Sequence, residues 1–165
     1  MSRILGIDPG SLVTGYGVIE RTASGVRYVA SGCIRVSDHE FPLRLKYIFD
    51  GVSELISLYR PTQIAVEQVF MHKNADSALK LGQSRGAAIC AGLNHDLPVY
   101  EYAARQVKQA LVGKGNADKD QVQHMVKILL SIQGDMQIDA SDALAISLCH
   151  CHYQETANRL RLAQA

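Results

Sequence analysis

Four acidic side chains stand where apolar segments of the sequence end or begin: Asp8, Glu67, Asp139 and Asp142. The first two follow short apolar runs, and the last two open a segment with the composition of a helix. A carboxylate at the end of a buried strand is costly unless another group pairs with it. Carboxylates that converge form a set of hard oxygen ligands, which suits Mg²⁺ or Mn²⁺. The chemistry of the chain depends on whether these four side chains meet.

Each of these acids also has an ordinary structural explanation. Asp8 precedes a Pro-Gly pair and suits a turn, and Glu67 suits the exposed end of a strand. Asp139 suits the N-cap of a helix, where Asp142 is favourable in the first turn. Singly, each acid fits that explanation as well as a metal site, so only the set of four indicates chemistry.

A small basic cluster lies between residues 104 and 119. It contains four basic residues, Arg105, Lys108, Lys114 and Lys119, and one acid, Asp118, which leaves a surplus of three positive charges (four minus one). The whole chain has a net charge of only +1, so its bulk charge does not indicate a nucleic-acid partner. The cluster is either an ordinary solvated surface or a patch that contacts phosphate groups, and the sequence leaves both interpretations open.

The periodicity of apolar residues predicts the element order βββ-α-β-α-β-α-α-α. Strands are predicted at 3–8, 13–20, 26–36, 62–67 and 97–102, and helices at 42–60, 75–94, 104–112, 118–132 and 139–154. The first three strands form an antiparallel meander, whereas strands one, four and five are parallel because helices connect them. The predicted fold class is α/β, with a five-stranded mixed sheet and helices on both faces.

This topology can bring the four acids together. Sites in such sheets lie at the carboxyl ends of the strands, and both Asp8 and Glu67 end parallel strands. The two side chains meet at one edge if strands one and four are neighbours. Asp139 and Asp142 are three residues apart and share one helical face, so the last helix can carry both across from the face of the sheet.

The helix predicted at 75–94 is rich in small residues: Gly82, Gly86, Ala87 and Gly92. Glycine inside a helix costs about 1 kcal/mol relative to alanine. Several such residues in one helix indicate that another backbone approaches closely. That backbone is either the protein's own sheet or the same helix of a second copy.

The four cysteines, Cys33, Cys90, Cys149 and Cys151, fit no disulfide framework, which favours reduced thiols in the cytoplasm. The run 149–152 alternates Cys and His, but successive positions on a helix point in different directions, so a zinc site is not expected there. We also expect no signal peptide and no membrane-spanning segment. Residues 1–153 are predicted to form one domain, and 154–165 a C-terminal tail that frays.

Six short motifs resemble those of the RuvC family of Holliday junction resolvases. They are IDPGS at 7–11, TGYG at 14–17, EQVF at 67–70, NADSALKLGQ at 74–83, YAARQVK at 102–108 and DASDALA at 139–145. The resemblance covers residues 3–153. It implies a ribonuclease H-like fold, a homodimer, and Mg²⁺-dependent nicking of two strands of a four-way DNA junction. It also implies partnership with a RuvA–RuvB branch-migration complex.

Matched by position, the resemblance assigns roles to individual residues. The family's metal-binding acids fall on Asp8, Glu67, Asp139 and Asp142. Its two basic residues near the scissile phosphate fall on Lys108 and Lys119, and its aromatic residue after the second acid falls on Phe70. Lys73, Arg105 and Lys114 are further candidates for DNA contact, whereas the apolar Leu12 is a poor one.

The chemistry of phosphodiester hydrolysis explains why four acids are needed. Negative charge develops on the attacking water, the phosphoryl oxygens and the leaving oxygen, and two cations about 4 Å apart can stabilise it. Our hypothesis is that Asp8 bridges two Mg²⁺ ions, that Glu67 holds one and Asp142 the other, and that Asp139 binds metal directly or supports a ligand. Mn²⁺ is expected to substitute, and the expected products are 5′-phosphate and 3′-hydroxyl ends.

Two other functions compete with this one. The turn at 8–11 followed by a Gly-rich hairpin also resembles the first phosphate loop of actin-like ATPases, but the chain is too short for the two domains that clamp their nucleotide. A junction-binding module without catalytic activity would have lost one or more of the acids, and none is lost. The expected function is therefore a structure-selective endonuclease of recombination and repair.

Overall fold

The structure, a computed structural model, describes residues 2–69 and 74–163. Within these ranges the strands are β1 (Ser2–Asp8), β2 (Val13–Thr22), β3 (Gly25–Arg35), β4 (Gln63–Glu67) and β5 (Val99–Tyr102). The helices are α1 (Phe41–Tyr59), α2 (Ala75–Asn94), α3 (Ala104–Val112), α4 (Lys119–Leu130) and α5 (Ile138–Ala163). The predicted element order is confirmed. None of the described helices is both long and apolar enough to cross a membrane.

The strands form one mixed sheet in the order β3-β2-β1-β4-β5. β1, β2 and β3 pair antiparallel, whereas β4 runs parallel to both β1 and β5. The pairing of β1 with β4 ends at Ile7 and Val66, one residue before each strand's acid. The predicted adjacency of strands one and four is therefore confirmed, and it places Asp8 beside Glu67 at one edge.

Helices cover both faces of this sheet, as predicted. Because strand side chains alternate between the faces, Ile4 packs with the cluster that includes residues of α3, α4 and α5. Leu5 and Ile7 point the other way, into a second cluster formed with α1 and α2. All three side chains are fully buried. β1 therefore lies at the centre of the molecule, and its carboxyl end is held rigidly from both sides.

Glycines in β1 and β2 let the start of α5 lie directly on the sheet. A Cβ atom added to Gly6 would stand 2.2 Å from the carbonyl oxygen of Ala143, and one added to Gly15 would stand 2.0 Å from that of Asp139. Real Cβ atoms do not approach an oxygen so closely. The missing side chains therefore set how near the acids of α5 come to the acid of β1.

The glycines of α2 divide into two groups. A Cβ on Gly92 would stand 2.6 Å from Ile64, so the close approach of the protein's own sheet explains that residue. A Cβ on Gly82 or Gly86 would meet no atom of the described residues within 4 Å. The protein's own sheet does not account for those two positions, and packing against a second copy stays a prediction.

The last helix is longer than predicted. The expected range was 139–154, but α5 continues to Ala163. Residues from 156 onward show no apolar period, because their side chains are exposed. Residues such as Ala, Leu and Arg nevertheless favour helix intrinsically. α5 thus crosses the predicted boundary at 153, and the division into a domain and a tail stays a prediction.

Candidate active site

A cleft of about 200 Å³ opens at the carboxyl ends of β1 and β4. Its charged lining consists of Asp8, Glu67, Lys108, Lys119 and Asp142. Its apolar wall consists of Ala104, Val107, Val122, Ala145 and Ile146. Five of the residues predicted from sequence, carried by β1, β4, α3, α4 and α5, therefore share one cleft. The structure thus brings together side chains that are up to 134 positions apart in the chain (142 minus 8).

A closed turn fixes the direction in which Asp8 leaves β1. The backbone N–H of Gly10 donates to the hydroxyl of Thr14 at 3.3 Å, and that hydroxyl lies 3.1 Å from the Gly10 carbonyl, to which it donates. Thr14 is fully buried. The turn that follows the acid is therefore held by a side chain of β2, which limits the positions that Asp8 can occupy.

Glu67 stands at the last residue of β4 and is held through its backbone. The next amide, of Gln68, donates to the carbonyl of Tyr102 at 2.8 Å, which extends the pairing with β5. The carbonyl of Glu67 itself accepts from Nε of Arg85 at 3.0 Å. Arg85 could not be predicted as part of the site, because it lies 18 residues further along the chain and no sequence pattern connects it with Glu67.

The two acids of α5 occupy different places. Asp142 lines the cleft, whereas Asp139 is not among the lining residues. Asp139 lies in the first turn of α5, against Gly15. Its charge nevertheless helps to raise the pKa of both Asp8 and Asp142. Asp139 therefore stands at the border of the cleft, close enough to act on the other acids electrostatically.

A capping interaction at the start of α4 places Lys119 at the cleft. The side chain of Asp118 accepts from the backbone N–H of Gln121 at 2.8 Å, and the side chain of Gln121 accepts from the N–H of Asp118 at 3.1 Å. This reciprocal cap starts the helix at Lys119. Nζ of Lys119 then lies 3.4 Å from a carboxylate oxygen of Asp142.

Burial and mutual repulsion raise the pKa values of the acids in the cleft. Burial, followed by the neighbouring charge of Glu67, raises the pKa of Asp8 to about 8. Burial also raises the pKa of Glu67 and of Asp142, and the positive charge of Lys119 opposes both increases. The neighbouring carboxylate of Glu67 thus favours the protonated form of Asp8 and contributes to its raised pKa. With all three of its carboxylates ionised, the cleft would carry more negative charge than its two lysines neutralise.

These residues suit a hard divalent cation, but they do not form a complete set of metal ligands. Within residues 2–69 and 74–163, no group of three His, Cys, Asp or Glu side chains is assembled to hold a metal ion. Ionised carboxylates repel one another, and Asp142 forms an ion pair with Lys119. Mg²⁺ commonly binds through one or two carboxylates, with water and substrate phosphate completing its octahedron. The donor set therefore fits Mg²⁺, with Asp8, Glu67 and Asp142 as the carboxylates within reach.

The other residues predicted to contact DNA lie outside the cleft or outside the residues that the structure describes. Arg105 and Lys114 are exposed and do not line the cleft. Arg105 lies over the loop between α3 and α4, where a Cβ on Gly115 would stand 2.7 Å from its Cγ. Phe70 and Lys73 lie outside the described residues. The predicted DNA contacts of these residues therefore stay predictions.

The alternating Cys-His run of α5 is structural within the described part of the chain. His150 is 1% exposed, and its two ring nitrogens lie 2.7 Å from the hydroxyl of Tyr102 and 2.9 Å from the side-chain oxygen of Gln63. Burial lowers the pKa of His150 to about 4, so its ring is neutral. Both ring nitrogens of His150 therefore bind protein groups.

Comparison with known proteins identifies the family. The model of the family described as "Crossover junction endodeoxyribonuclease RuvC" matches residues 4–150. The chain belongs to the RuvC family. The crossover junction endodeoxyribonuclease RuvC of Methylococcus capsulatus is 62% identical over 160 residues, which cover 97% of this chain and 96% of that protein. The RuvC of Cronobacter sakazakii is 62% identical over 169 residues, covering 99% and 98%.

A solved RuvC structure has the same fold. The Thermus thermophilus RuvC in complex with a Holliday junction substrate superposes with a TM-score of 0.88 at 33% sequence identity. The match covers 95% of this chain and 97% of that one. The resemblance read from six short motifs is therefore confirmed over nearly the whole chain, and so is the predicted fold class.

Proposed function

We propose that this RuvC-family chain resolves Holliday junctions during homologous recombination and DNA repair by nicking two opposed strands symmetrically. The observation that carries the proposal is the convergence of Asp8, Glu67 and Asp142 with two lysines in one cleft at the edge of the sheet. Hydrolysis of a phosphodiester requires carboxylates that bind metal ions and positive charge near the phosphoryl oxygens, and this cleft contains both carboxylates and lysines. Such a substrate lies with the chromosome, so the enzyme would act in the cytoplasm.

The acids would divide the work of holding two Mg²⁺ ions, or Mn²⁺ in their place. Asp8 interacts with both Glu67 and Asp142 and is the carboxylate best placed to be shared between the ions. Glu67 would hold one ion and Asp142 the other, while Asp139 supports the set from its border. When bound, the ions activate the attacking water and stabilise the leaving oxygen.

Lys108 and Lys119 would contact the phosphate that is cut. With its charge neutralised, Asp142 would release Lys119, whose ammonium group would then stabilise the charge that develops on the phosphoryl oxygens. The water would lose a proton as its oxygen forms a bond to phosphorus, the bond between phosphorus and the 3′ oxygen would break, and the 3′ oxygen would take up a proton. The products are a 5′-phosphate and a 3′-hydroxyl end.

A homodimer fits both the substrate and the surface of α2. Each chain carries one acidic cleft in its described residues, and symmetric resolution requires two. On α2, the unfilled positions of Gly82 and Gly86 lie between Leu79 and Leu93, which are 68% and 56% exposed. Two copies of α2 would bury this row. Replacing Gly86 by Leu should weaken self-association in sedimentation equilibrium and leave the fold intact.

Further contacts would lie around the two clefts. Phe70 would stack on an unpaired base at the junction centre, and Lys73, Arg105 and Lys114 would contact the DNA backbone. The RuvA–RuvB branch-migration complex is the expected protein partner, by family resemblance. The alternatives are a junction-binding module without catalysis, or an actin-like nucleotide-binding domain.

One cleavage assay separates these three functions. Purified protein is incubated with a synthetic four-way junction and with the matching linear duplex, in Mg²⁺. The proposal expects paired nicks in the junction alone, no turnover of ATP, and full junction binding with no cleavage by Asp8→Asn. Junction binding without nicking by the wild type would favour the non-catalytic module. Nicking by Asp8→Asn at the wild-type rate would refute the assigned site.

A further inference from the structure

We infer that Arg85 is a positioning residue that sets the metal affinity of the acidic cleft by holding the backbone at Glu67. The inference rests on the proposed metal-dependent function. Arg85 lies on α2, on the opposite face of the sheet from α5, and does not line the cleft. It acts on the site through the backbone of an acid and not through contact with substrate or metal.

The guanidinium group of Arg85 joins three elements. Its Nε donates to the carbonyl of Glu67 at 3.0 Å, and one of its terminal nitrogens lies 2.8 Å from the carboxylate of Glu101. Glu101 pairs in register with Val66 across β4 and β5. One side chain of α2 therefore grips the ends of two neighbouring strands. The fork of a guanidinium suits such a double contact, which the single head group of lysine cannot reproduce.

Arg85 binds the carbonyl of Glu67, the residue of β4 that pairs with β5 but no longer with β1. Pairing with β1 ends at Val66, so the β1 ladder does not fix the last residue of β4. A charged donor on a carbonyl makes a shorter and stronger hydrogen bond than a neutral one. Arg85 supplies that bond at the residue whose carboxylate must be held in place. Its side chain is only 20% exposed, so the contact is partly shielded from water.

Arg85 also connects the cleft to the face of α2 on which a second copy is proposed to pack. It is the neighbour of Gly86 and lies three positions after Gly82. A shift of α2 therefore moves the group that holds the end of β4. The metal site of one chain would in this way respond to the packing of its own α2.

The test measures metal binding without substrate. Thermal unfolding of the full chain is followed while Mn²⁺ is titrated, and the midpoint of the stabilisation is compared between variants. Groups that orient metal ligands typically change metal affinity by 10-fold or more when removed, so Arg85→Gln should raise the Mn²⁺ midpoint by about 10-fold. Arg85→Lys keeps the positive charge but removes the two-armed geometry of the guanidinium group. It should therefore also raise the Mn²⁺ midpoint.

Two control variants separate this role from a general loss of stability. Arg44 likewise donates to backbone carbonyls, those of His39 at 2.6 Å and Ser37 at 3.4 Å, but it lies on α1 outside the cleft. Arg44→Gln should leave the Mn²⁺ midpoint unchanged. Glu101→Gln removes the ion pair and keeps the bond to Glu67, and it should raise the midpoint less than Arg85→Gln.

The outcomes distinguish the inference from the function on which it rests. A wild-type midpoint in both Arg85→Gln and Arg85→Lys would overturn the inference, even if either variant melts at a lower temperature without metal. An equal rise in Arg44→Gln would overturn it as well, because the effect would then be unspecific. If Mn²⁺ stabilises no protein in the series, the wild type included, the proposed metal site itself fails, and the inference fails with it.

Discussion

Nζ of Lys119 lies 3.4 Å from a carboxylate oxygen of Asp142, and this pair joins the first residue of α4 to the fifth residue of α5 across the cleft. Burial raises the pKa of Asp142, and the positive charge of the neighbouring Lys119 opposes that increase. Asp142 in turn raises the pKa of Lys119. The pair balances one charge of the cleft, and we expect Lys119 to leave Asp142 if metal and DNA bind there as proposed.

Replacing Lys119 by Met should impair catalysis far more than folding. The lysine side chain is 75% exposed, and exposed ion pairs contribute little to stability, so the free energy of unfolding should change by no more than about 0.5 kcal/mol. Removing one charge that stabilises the transition state should lower the single-turnover nicking rate by about 10²-fold. Rate and stability are measured on the same preparation. A nicking rate within about twofold of wild type would contradict the assigned role.

Replacing Asp8 by Asn should stabilise the metal-free protein at high pH. The pKa of Asp8 is about 8 in the folded protein against 3.8 for the free side chain. The folded protein thus holds the proton more tightly, and ionisation costs stability as the pH rises from about 4 through 8. At pH 9 the variant should exceed wild type by on the order of 1 kcal/mol, with a difference that shrinks toward pH 4.

Chemical denaturation at several pH values in EDTA checks this difference, and Mn²⁺ provides the control. The ion should stabilise the wild type and reverse the order of the two proteins, since the variant lacks the shared carboxylate. A metal-free variant that is less stable than wild type at pH 9 would show that Asp8 is not strained by burial and repulsion.

Replacing Gly15 by Ala should displace the acids of α5. The new Cβ would stand 2.0 Å from the carbonyl oxygen of Asp139, so either β2 or the start of α5 must move. Overpacking of this kind costs about 1–3 kcal/mol, and nicking should fall further than stability alone explains. Gly51→Ala is the matched control, because its Cβ would crowd only the side chain of Ile34, and Gly51 does not line the cleft. Equal nicking by both variants would show that the approach of α5 to β2 does not set the site.

His150 should make the protein sensitive to acid. Its folded pKa of about 4 lies below the ordinary value of 6.5, because burial disfavours the charged ring. The unfolded chain therefore takes up a proton first as the pH falls, and stability is lost between 6.5 and 4. The wild type should lose roughly 2–3 kcal/mol more than His150→Gln over this window. Parallel stability curves for the two proteins would contradict the buried, neutral ring.

Much of the site could be predicted because its residues mark the ends of regular elements. Asp8 and Glu67 each follow an apolar run, and parallel strands joined by helices bring such ends to one edge. Asp139 and Asp142 were related by helical spacing alone. The family resemblance then selected the site over the ordinary explanation of each acid, and it added Lys108 and Lys119, which the sequence alone could not separate from a solvated surface.

The parts that could not be predicted depend on contacts between distant segments. Arg85 donates a hydrogen bond to a backbone carbonyl, and the sequence does not show which carbonyl a side chain contacts. The close approach of Gly15 to Asp139 required the packing of α5 on the sheet. The last turns of α5 are exposed, so no apolar period revealed that the helix continues to Ala163. Each miss concerns a feature that periodicity does not encode.

The most direct measurement of the central claim is the anomalous diffraction of crystals soaked in Mn²⁺. The account predicts two peaks in the cleft of each chain, with Asp8 contacting both ions and Glu67 and Asp142 each contacting one. Lys119 should then no longer pair with Asp142. A cleft without ions at saturating Mn²⁺, or ions bound only elsewhere on the molecule, would contradict the claim that these acids form a two-metal site.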